Sequence, residues 1–279
     1  MFEESKNFYK LNEISNLLRY RTVKTSHEAS IPHLGSCLSC VEILVYLYWI
    51  ELNLDPLNCN DQDRDRFILS KGHGAPILFQ VLAERGFYDK NLLKTAGKNG
   101  SLFHEHPPKP GYIPGIEAAT GSLGHGLPIA LGIAMAGKIK KKSFRTFALL
   151  SDGECNEGTI WESAMFASSK SLSRVTAIID FNKWQATGRT KEIMSLEPLL
   201  EKWKSFGWHA QEINGHNFAE IKDSLDEANS INDKPSVIIA NTIKGKGVSF
   251  MEDNNNWHYK IPNEEELSMA LSELTKNKK

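Results

Sequence analysis

Thr146-Phe147-Ala148-Leu149-Leu150-Ser151-Asp152-Gly153 is the stretch on which the fold turns. It is an apolar run that stops at small and polar residues, as a buried strand does where it enters a turn. Residues 157–171 follow with Ile160, Ala164, Met165 and Ala167 at helical spacing. Residues 175–181 (VTAIIDF) and 236–242 (SVIIANT) are two further β-branched runs, and residues 209–214 form a shorter one. Between them, residues 197–206 and 218–231 read as helices. In the second, Phe218, Ile221, Leu225 and Ala228 recur three or four apart. Strands that are apolar on both faces and alternate with helices predict an α/β fold, with a mostly parallel central sheet and helices on both faces.

Working back toward the N-terminus, the chain becomes more helical. Residues 8–25, 37–52, 75–85 and 123–137 are predicted helices, and residues 66–70 (RFILS) a buried strand. Residues 100–121 are rich in Pro, Gly and His and read as a long loop, which in a compact domain is usually functional. Lys138, Lys140, Lys141 and Lys142 suit the C-terminal end of a helix. No composition shift marks a linker. One domain over residues 1–270 is expected, with a helical N-terminal flank and a fraying tail over 271–279.

Composition narrows the function. The 279 residues carry 33 Lys plus Arg against 34 Asp plus Glu, so the basic excess of a phosphate-neutralising nucleic-acid binder is missing. No apolar run approaches the ~20 residues that span a bilayer, and no basic-then-apolar leader opens the chain. Four cysteines are too few for a disulfide scaffold. A soluble protein of the reducing cytoplasm is expected, binding neither nucleic acid nor membrane.

Asp152 and Asn182 each stand at the end of a predicted strand, 30 positions apart. Taken singly, Asp152 reads as a helix cap and Asn182 as a turn residue. If the two strands are neighbours, both side chains meet at the carboxyl edge of the sheet, where ligands bind in open α/β folds. A carboxylate and an amide carbonyl are hard oxygen ligands for Mg²⁺ or Ca²⁺, and a metal held by few protein oxygens generally completes its shell with phosphate. The helix starting near Glu157 would aim its N–H groups at the same place.

The stretch Ser151-Asp152-Gly153-Glu154 through Asp180-Phe181-Asn182 resembles the thiamine diphosphate motif, GDG followed some thirty residues later by N. The likeness extends to the N-terminal half of transketolase. It is carried by Asp65-Arg66-Phe67-Ile68-Leu69-Ser70-Lys71-Gly72-His73-Gly74, by Gly121-Ser122-Leu123-Gly124-His125-Gly126 and by Phe206-Gly207-Trp208. Asn214-Gly215-His216 and Thr242-Ile243-Lys244-Gly245-Lys246-Gly247 continue it. The sequence is most similar to the N-terminal subunits of split transketolases.

This resemblance implies the diphosphate-binding domain of the thiamine diphosphate fold, and the following roles. Asp152, the Asn182 side chain and the backbone carbonyl of Trp184 ligate Mg²⁺, for which Ca²⁺ or Mn²⁺ can substitute. Gly153 lets the backbone approach the diphosphate. His73 lies near the diphosphate and the reacting centre. Gly121, Ser122, Leu123 and Gly124 pack on the aminopyrimidine. His33, His106 (with His104 as the alternative) and His258 match substrate-contacting histidines. Glu157 matches an acid linking paired cofactor sites across a dimer. The activity implied is transfer of a two-carbon ketol unit between sugar phosphates. The family's activating Glu lies in a separate pyrimidine-binding domain, so a C-terminal partner subunit is expected, in an α₂β₂ heterotetramer. A 2-oxoacid decarboxylase or dehydrogenase subunit, or a non-catalytic relative, are the alternatives.

The sequence departs from the family in two places. Ser151 stands where Gly is usual: its Cβ either crowds the diphosphate or its hydroxyl bonds to it, and its backbone N–H is expected to remain available. Leu34 replaces the usual Pro after His33. Cys37 and Cys40 form a CxxC inside a predicted helix, without a second pair, and read as buried small hydrophobes rather than a zinc site.

Overall fold

The computed structural model describes residues 2–276. Among these, five strands form one parallel sheet: β1 (Arg66–Leu69), β2 (Thr146–Ser151), β3 (Val175–Phe181), β4 (His209–Asn214) and β5 (Ser236–Asn241), in the order β1-β2-β3-β5-β4. The α-helices of the described residues surround it. They are α1 (Phe2–Ala29), α2 (Leu34–Ser39), α3 (Val41–Tyr46), α4 (Ala75–Arg85), α5 (Gly126–Ile139), α6 (Gly158–Ser169), α7 (Thr190–Ile193), α8 (Leu199–Ser205), α9 (Phe218–Ser230) and α10 (Glu264–Lys276).

The period-two alternation of strand side chains divides the core. Phe147 and Leu149 of β2, Ile178 of β3 and Ile238 of β5 face a cluster that includes residues of α1, α3, α4 and α9. Their neighbours Ala148, Leu150, Ala177, Ile179, Val237 and Ile239 face the opposite cluster, with α5, α6 and α8. Every residue of β3 is buried, as a central strand covered on both faces must be. A third cluster, with Val23, Leu34, Leu38, Met251, Trp257 and Leu274, joins α1, α2 and α10 beside the sheet. Among the described residues no helix is long and apolar enough to cross a membrane.

The elements depart from expectation where local backbone or packing overrules periodicity. The predicted helix 37–52 is instead α2, α3 and a π-turn over Leu47–Glu51, with the break at Cys40. There the Ser39 hydroxyl stands 2.6 Å from the Asp180 carboxylate and 3.1 Å from the Ser36 carbonyl. α5 begins at Gly126 rather than 123, because Gly121 and Gly124 take φ of 152° and 82°, which a helix cannot use. α8 begins after Pro198, which disfavours helix in the residue before it. A 3₁₀ turn, Gly153–Asn156, separates β2 from α6, so it is this turn, not the helix, that first meets the strand end.

The expected fraying tail is corrected in part. Residues 271–276 are the last turns of α10, and residues 277–279 lie outside the described residues. The correction has a physical cause in Ala270 and Leu274, both fully buried in the third cluster. Leu274→Ala is therefore expected to destabilise the chain by about 2–5 kcal/mol, read as a lower urea midpoint at unchanged slope. A loss near zero would mean that the last turns of α10 are not docked.

Candidate active site

The register of the sheet builds the site. β2 and β3 are adjacent, with Ser151 beside Asp180, so the turns that follow them open on the same edge. A cavity of about 280 Å³ lies there, lined among others by Lys71, His73, Leu123, Ser151, Gly153, Glu157, Asn182, Trp184 and His258.

Asp152 is fully buried at the first turn beyond β2. Its carboxylate accepts from the Thr190 hydroxyl at 2.7 Å and from the Gly153 N–H at 3.0 Å. Burial pushes its pKa up to about 6, a rise that these two donors only partly offset. Asn182 is buried in the turn that follows the adjacent strand β3. Its amide donates to Asp180 at 3.3 Å, and its Oδ1 accepts the Trp184 N–H at 3.1 Å. A carbonyl oxygen has two lone pairs, so Oδ1 retains one. The Trp184 indole donates to Asp253 at 2.8 Å, and Arg189 stacks on its ring 3.8 Å from the centroid while pairing with Asp253. This strap fixes the loop after β3 against the loop that leads to His258.

The turn after β1 supplies Lys71 and His73. Lys71 donates to the Ser36 carbonyl at 2.8 Å and pairs with Asp180, both side chains being buried. Burial opposes both charges, but their mutual attraction outweighs it: the Lys71 pKa is raised and that of Asp180 lowered. Gly72 is required sterically, since a Cβ there would stand 2.6 Å from the Gly121 nitrogen. Gly121 in turn has no room for a Cβ, which would meet the His106 ring at 2.7 Å.

Four of the candidate histidines come together. The His33 ring lies 4.6 Å from that of His73 and 5.1 Å from that of His258, and His73 lies 4.6 Å from His106. His33 takes a left-handed φ of 67°, and its N–H donates to the His258 carbonyl at 2.9 Å. His104 faces away, with Nε2 2.7 Å from the Ser101 carbonyl, so His106 is the member of the pair that joins the cluster. Burial lowers the pKa of His33 and of His73 to about 4; the nearby His73 and His106 add to it for His33, and His106 for His73. His258 falls to about 3, through burial and the charge of Lys244, whose Nζ is 2.9 Å from His258 Nδ1. These three histidines are neutral at pH 7.

Of the remaining candidates, Leu123 lines the cavity and Ser122 is exposed. The Gly124 N–H donates to Glu154 at 2.9 Å. Glu157 is exposed at the mouth. The Ser151 N–H is not available as expected, because it donates to Glu154 Oε2 at 3.3 Å. Cys37 and Cys40 are buried, and burial raises their thiols to about 12 and about 11.

Sequence reasoning missed Ser36, Asp180, Glu154, Gln185 and Lys244. A signal existed for Asp180, a charge inside the run VTAIIDF, and for Lys244, which sits inside a quoted motif. Gln185 lies so close over the turn after β2 that a Cβ on Gly153 would stand 3.2 Å from it.

The profile described as "Transketolase, thiamine diphosphate binding domain" matches residues 11–277. The chain belongs to the transketolase family. It is 40% identical over 266 residues to the 6-deoxy-6-sulfo-D-fructose transketolase subunit SqwG of Clostridium sp. (strain MSTE9), covering 95% of this chain and 96% of the relative. It is 39% identical over 257 residues to an apulose-4-phosphate transketolase subunit of Phocaeicola vulgatus, covering 92% and 91%. The transketolase of Campylobacter jejuni superposes with a TM-score of 0.84 at 26% identity, over 96% of this chain and 47% of that one. That of Leishmania mexicana shares the fold, with a TM-score of 0.88 at 23% identity over 95% and 41%. The chain therefore spans less than half the length of these two solved transketolases. It is a thiamine-diphosphate-binding N-terminal transketolase domain, in a family of transferases. Relatives of its own length are named as subunits, which implies a partner chain.

The residues present fit a metal-bound diphosphate. Among the described residues the buried Asp152 carboxylate is engaged by a hydroxyl and an N–H, and Asn182 offers an amide oxygen in the turn after the adjacent strand β3. Together with a backbone carbonyl this is a hard-oxygen set suited to Mg²⁺. Among the described residues no three His, Cys, Asp or Glu side chains form a metal cage, so a cation here would need ligand oxygens from the cofactor. The buried Lys244 ammonium has neutral hydrogen-bond partners, the Asn255 amide oxygen at 2.7 Å and His258, and burial lowers its pKa to about 8. Asp152 and Asp180 favour its charge without offsetting burial, so a further anion nearby would stabilise it.

The neutral histidines make a pH prediction. Their folded pKa values lie below the unfolded value of 6.5, so the unfolded chain binds more protons in the window between. Their contribution to stability is complete above pH 6.5 and is lost as pH falls toward 4. Asp152, shifted upward, acts in the opposite sense. The histidine share is therefore read as a difference: the melting temperature of His258→Gln should fall less steeply over this window than that of the unsubstituted chain. Parallel curves would refute it.

Proposed function

We propose that this chain is the diphosphate-binding subunit of a two-chain transketolase, with residues 1–270 acting as one domain. Magnesium thiamine diphosphate would be held by Asp152, the Asn182 side chain and the Trp184 backbone carbonyl, with Ca²⁺ or Mn²⁺ able to replace Mg²⁺. The observation that supports this reading is a cavity lined by Asn182, His73 and His258, with Asp152 between its lining residues Ser151 and Gly153 and with the rings of His33 and His106 against that of His73. When bound, thiamine diphosphate supplies a carbanion at its thiazolium carbon and a sink for the electrons of the cleaved carbon–carbon bond. The reaction moves a two-carbon ketol unit from a ketose phosphate to an aldose.

The chain's own residues orient and protonate. Each neutral imidazole offers one N–H and one lone pair, so the cluster can pass protons between sugar oxygens without placing net charge beside the reacting carbon. His33 is suited to this, since its Nδ1 is buried without a hydrogen-bond partner among the described residues. Gly121, Ser122, Leu123 and Gly124 would form the wall against the aminopyrimidine, clamped from below by Glu154.

The remaining parts belong to the assembly. The activating Glu of the pyrimidine-binding domain would come from a C-terminal partner subunit. Glu157, exposed at the cavity mouth, would link paired sites in an α₂β₂ heterotetramer. Four free cysteines, three of them buried, suit the reducing cytoplasm.

Two measurements test the proposal. Asp152→Ala should abolish Mg²⁺-dependent binding of thiamine diphosphate in calorimetry; an unchanged affinity removes Asp152 from the metal. The purified chain alone should not turn over a ketose phosphate with an aldose acceptor, and adding the partner subunit should restore turnover. Activity of the chain alone would sink the two-chain assembly.

A further inference from the structure

Resting on that reading of the site, we propose that the Ser151 hydroxyl donates a hydrogen bond to the diphosphate, in place of the glycine usual at this position. Two observations narrow what Ser151 can do. Its backbone N–H is taken by Glu154 Oε2, at 3.3 Å, and so is not offered to an anion. Its Oγ accepts the Glu154 N–H at 3.2 Å. A hydroxyl has one proton and two lone pairs. With the amide on a lone pair, the proton is left to donate, and among the described residues no acceptor engages it.

The placement puts Ser151 on the wall of the cavity, at the end of β2 and together with Gly153 and Asn182, and it is only partly buried. The Glu154 carboxylate clamps this strand end from beneath, binding the Ser70 hydroxyl and the Gly124 N–H as well as the Ser151 N–H. The hydroxyl thus relays the positive end of the Glu154 amide dipole into the cavity. Crowding by the Cβ is the competing effect. The cavity measures about 280 Å³ with Ser151 in its wall, and the Ser151→Gly comparison separates crowding from a hydrogen bond.

The test is equilibrium binding of magnesium thiamine diphosphate to the full chain with its partner subunit, followed by tryptophan fluorescence and by phosphorus NMR of the bound diphosphate. Ser151→Ala and Ser151→Gly should each bind about tenfold more weakly, the loss expected for one hydrogen bond to a charged group. The bound phosphorus resonances should shift with the substitution, while Ser151→Thr, which keeps the hydroxyl, retains the affinity. Magnesium pyrophosphate, used as a probe without the thiamine, should lose affinity in the same order. Unchanged or tighter binding by Ser151→Gly overturns the proposal in favour of crowding or indifference. If the unsubstituted assembly binds no cofactor, the functional reading itself falls, which separates the two failures.

Discussion

Lys71 and Asp180 form an ion pair with both side chains buried, and the site is assembled around it. Asp180 lies near the end of the central strand β3 and also accepts from Ser39 of α2 and Thr242 beyond β5. Lys71, in the turn after β1, reaches the Ser36 carbonyl. One pair therefore ties three strand ends and one helix at the edge where the cavity opens. Removing one partner of such a pair typically costs ~3–5 kcal/mol, whereas a well-packed apolar replacement can be neutral. Its presence is thus better explained by placement than by stability. Asn182 hangs from Asp180, His73 follows Lys71 by two residues, and Lys244 follows Thr242 by two.

The charges around the cavity follow from that arrangement. Lys71 is neutralised by Asp180, so its positive field is largely spent within the protein. Lys244 has an amide oxygen and an imidazole as hydrogen-bond partners, and the pull of Asp152 and Asp180 does not offset its burial. Three histidines are held neutral by burial and by the cationic and imidazole groups around them. Asp152 is a carboxylate raised by burial with only neutral donors attached. A cation beside Asp152 together with an anion near Lys244 would relieve both strains at once. That is the chemistry of a metal diphosphate, and it needs none of these three histidines to become cationic at neutral pH.

Much of this was legible in the residues. The alternation that sends Phe147 and Leu149 to one core and Ala148 and Leu150 to the other is a local property of an extended chain. The strand ends at Asp152 and Asn182 were equally visible, because polar residues interrupt apolar runs there. Where backbone freedom or a distant partner decided, periodicity misplaced the boundary. α5 starts late because of positive φ at Gly121 and Gly124, a conformation that glycine permits but does not announce. The helix at 37–52 breaks at Cys40, whose φ of −108° and ψ of 16° leave the helical region, next to a Ser39 side chain bonded to Asp180 141 positions away. Residues 271–276 stay helical because Leu274 is buried against elements from the other end of the chain.

The sequence by itself determined the α/β class, the parallel sheet and the two strand-end oxygens, since each rests on spacing along a few dozen residues. It also carried the family resemblance, which is a property of ordered local motifs. Only the tertiary structure decided that His33, His73, His106 and His258 share one cluster and that His104 does not. It alone showed that the Ser151 N–H is occupied while its hydroxyl proton meets no acceptor among the described residues. These are contacts between segments far apart in the chain, or between neighbours whose orientation the packing sets, held by a sheet order in which β5 inserts between β3 and β4. Through-space distance, not sequence spacing, sets them.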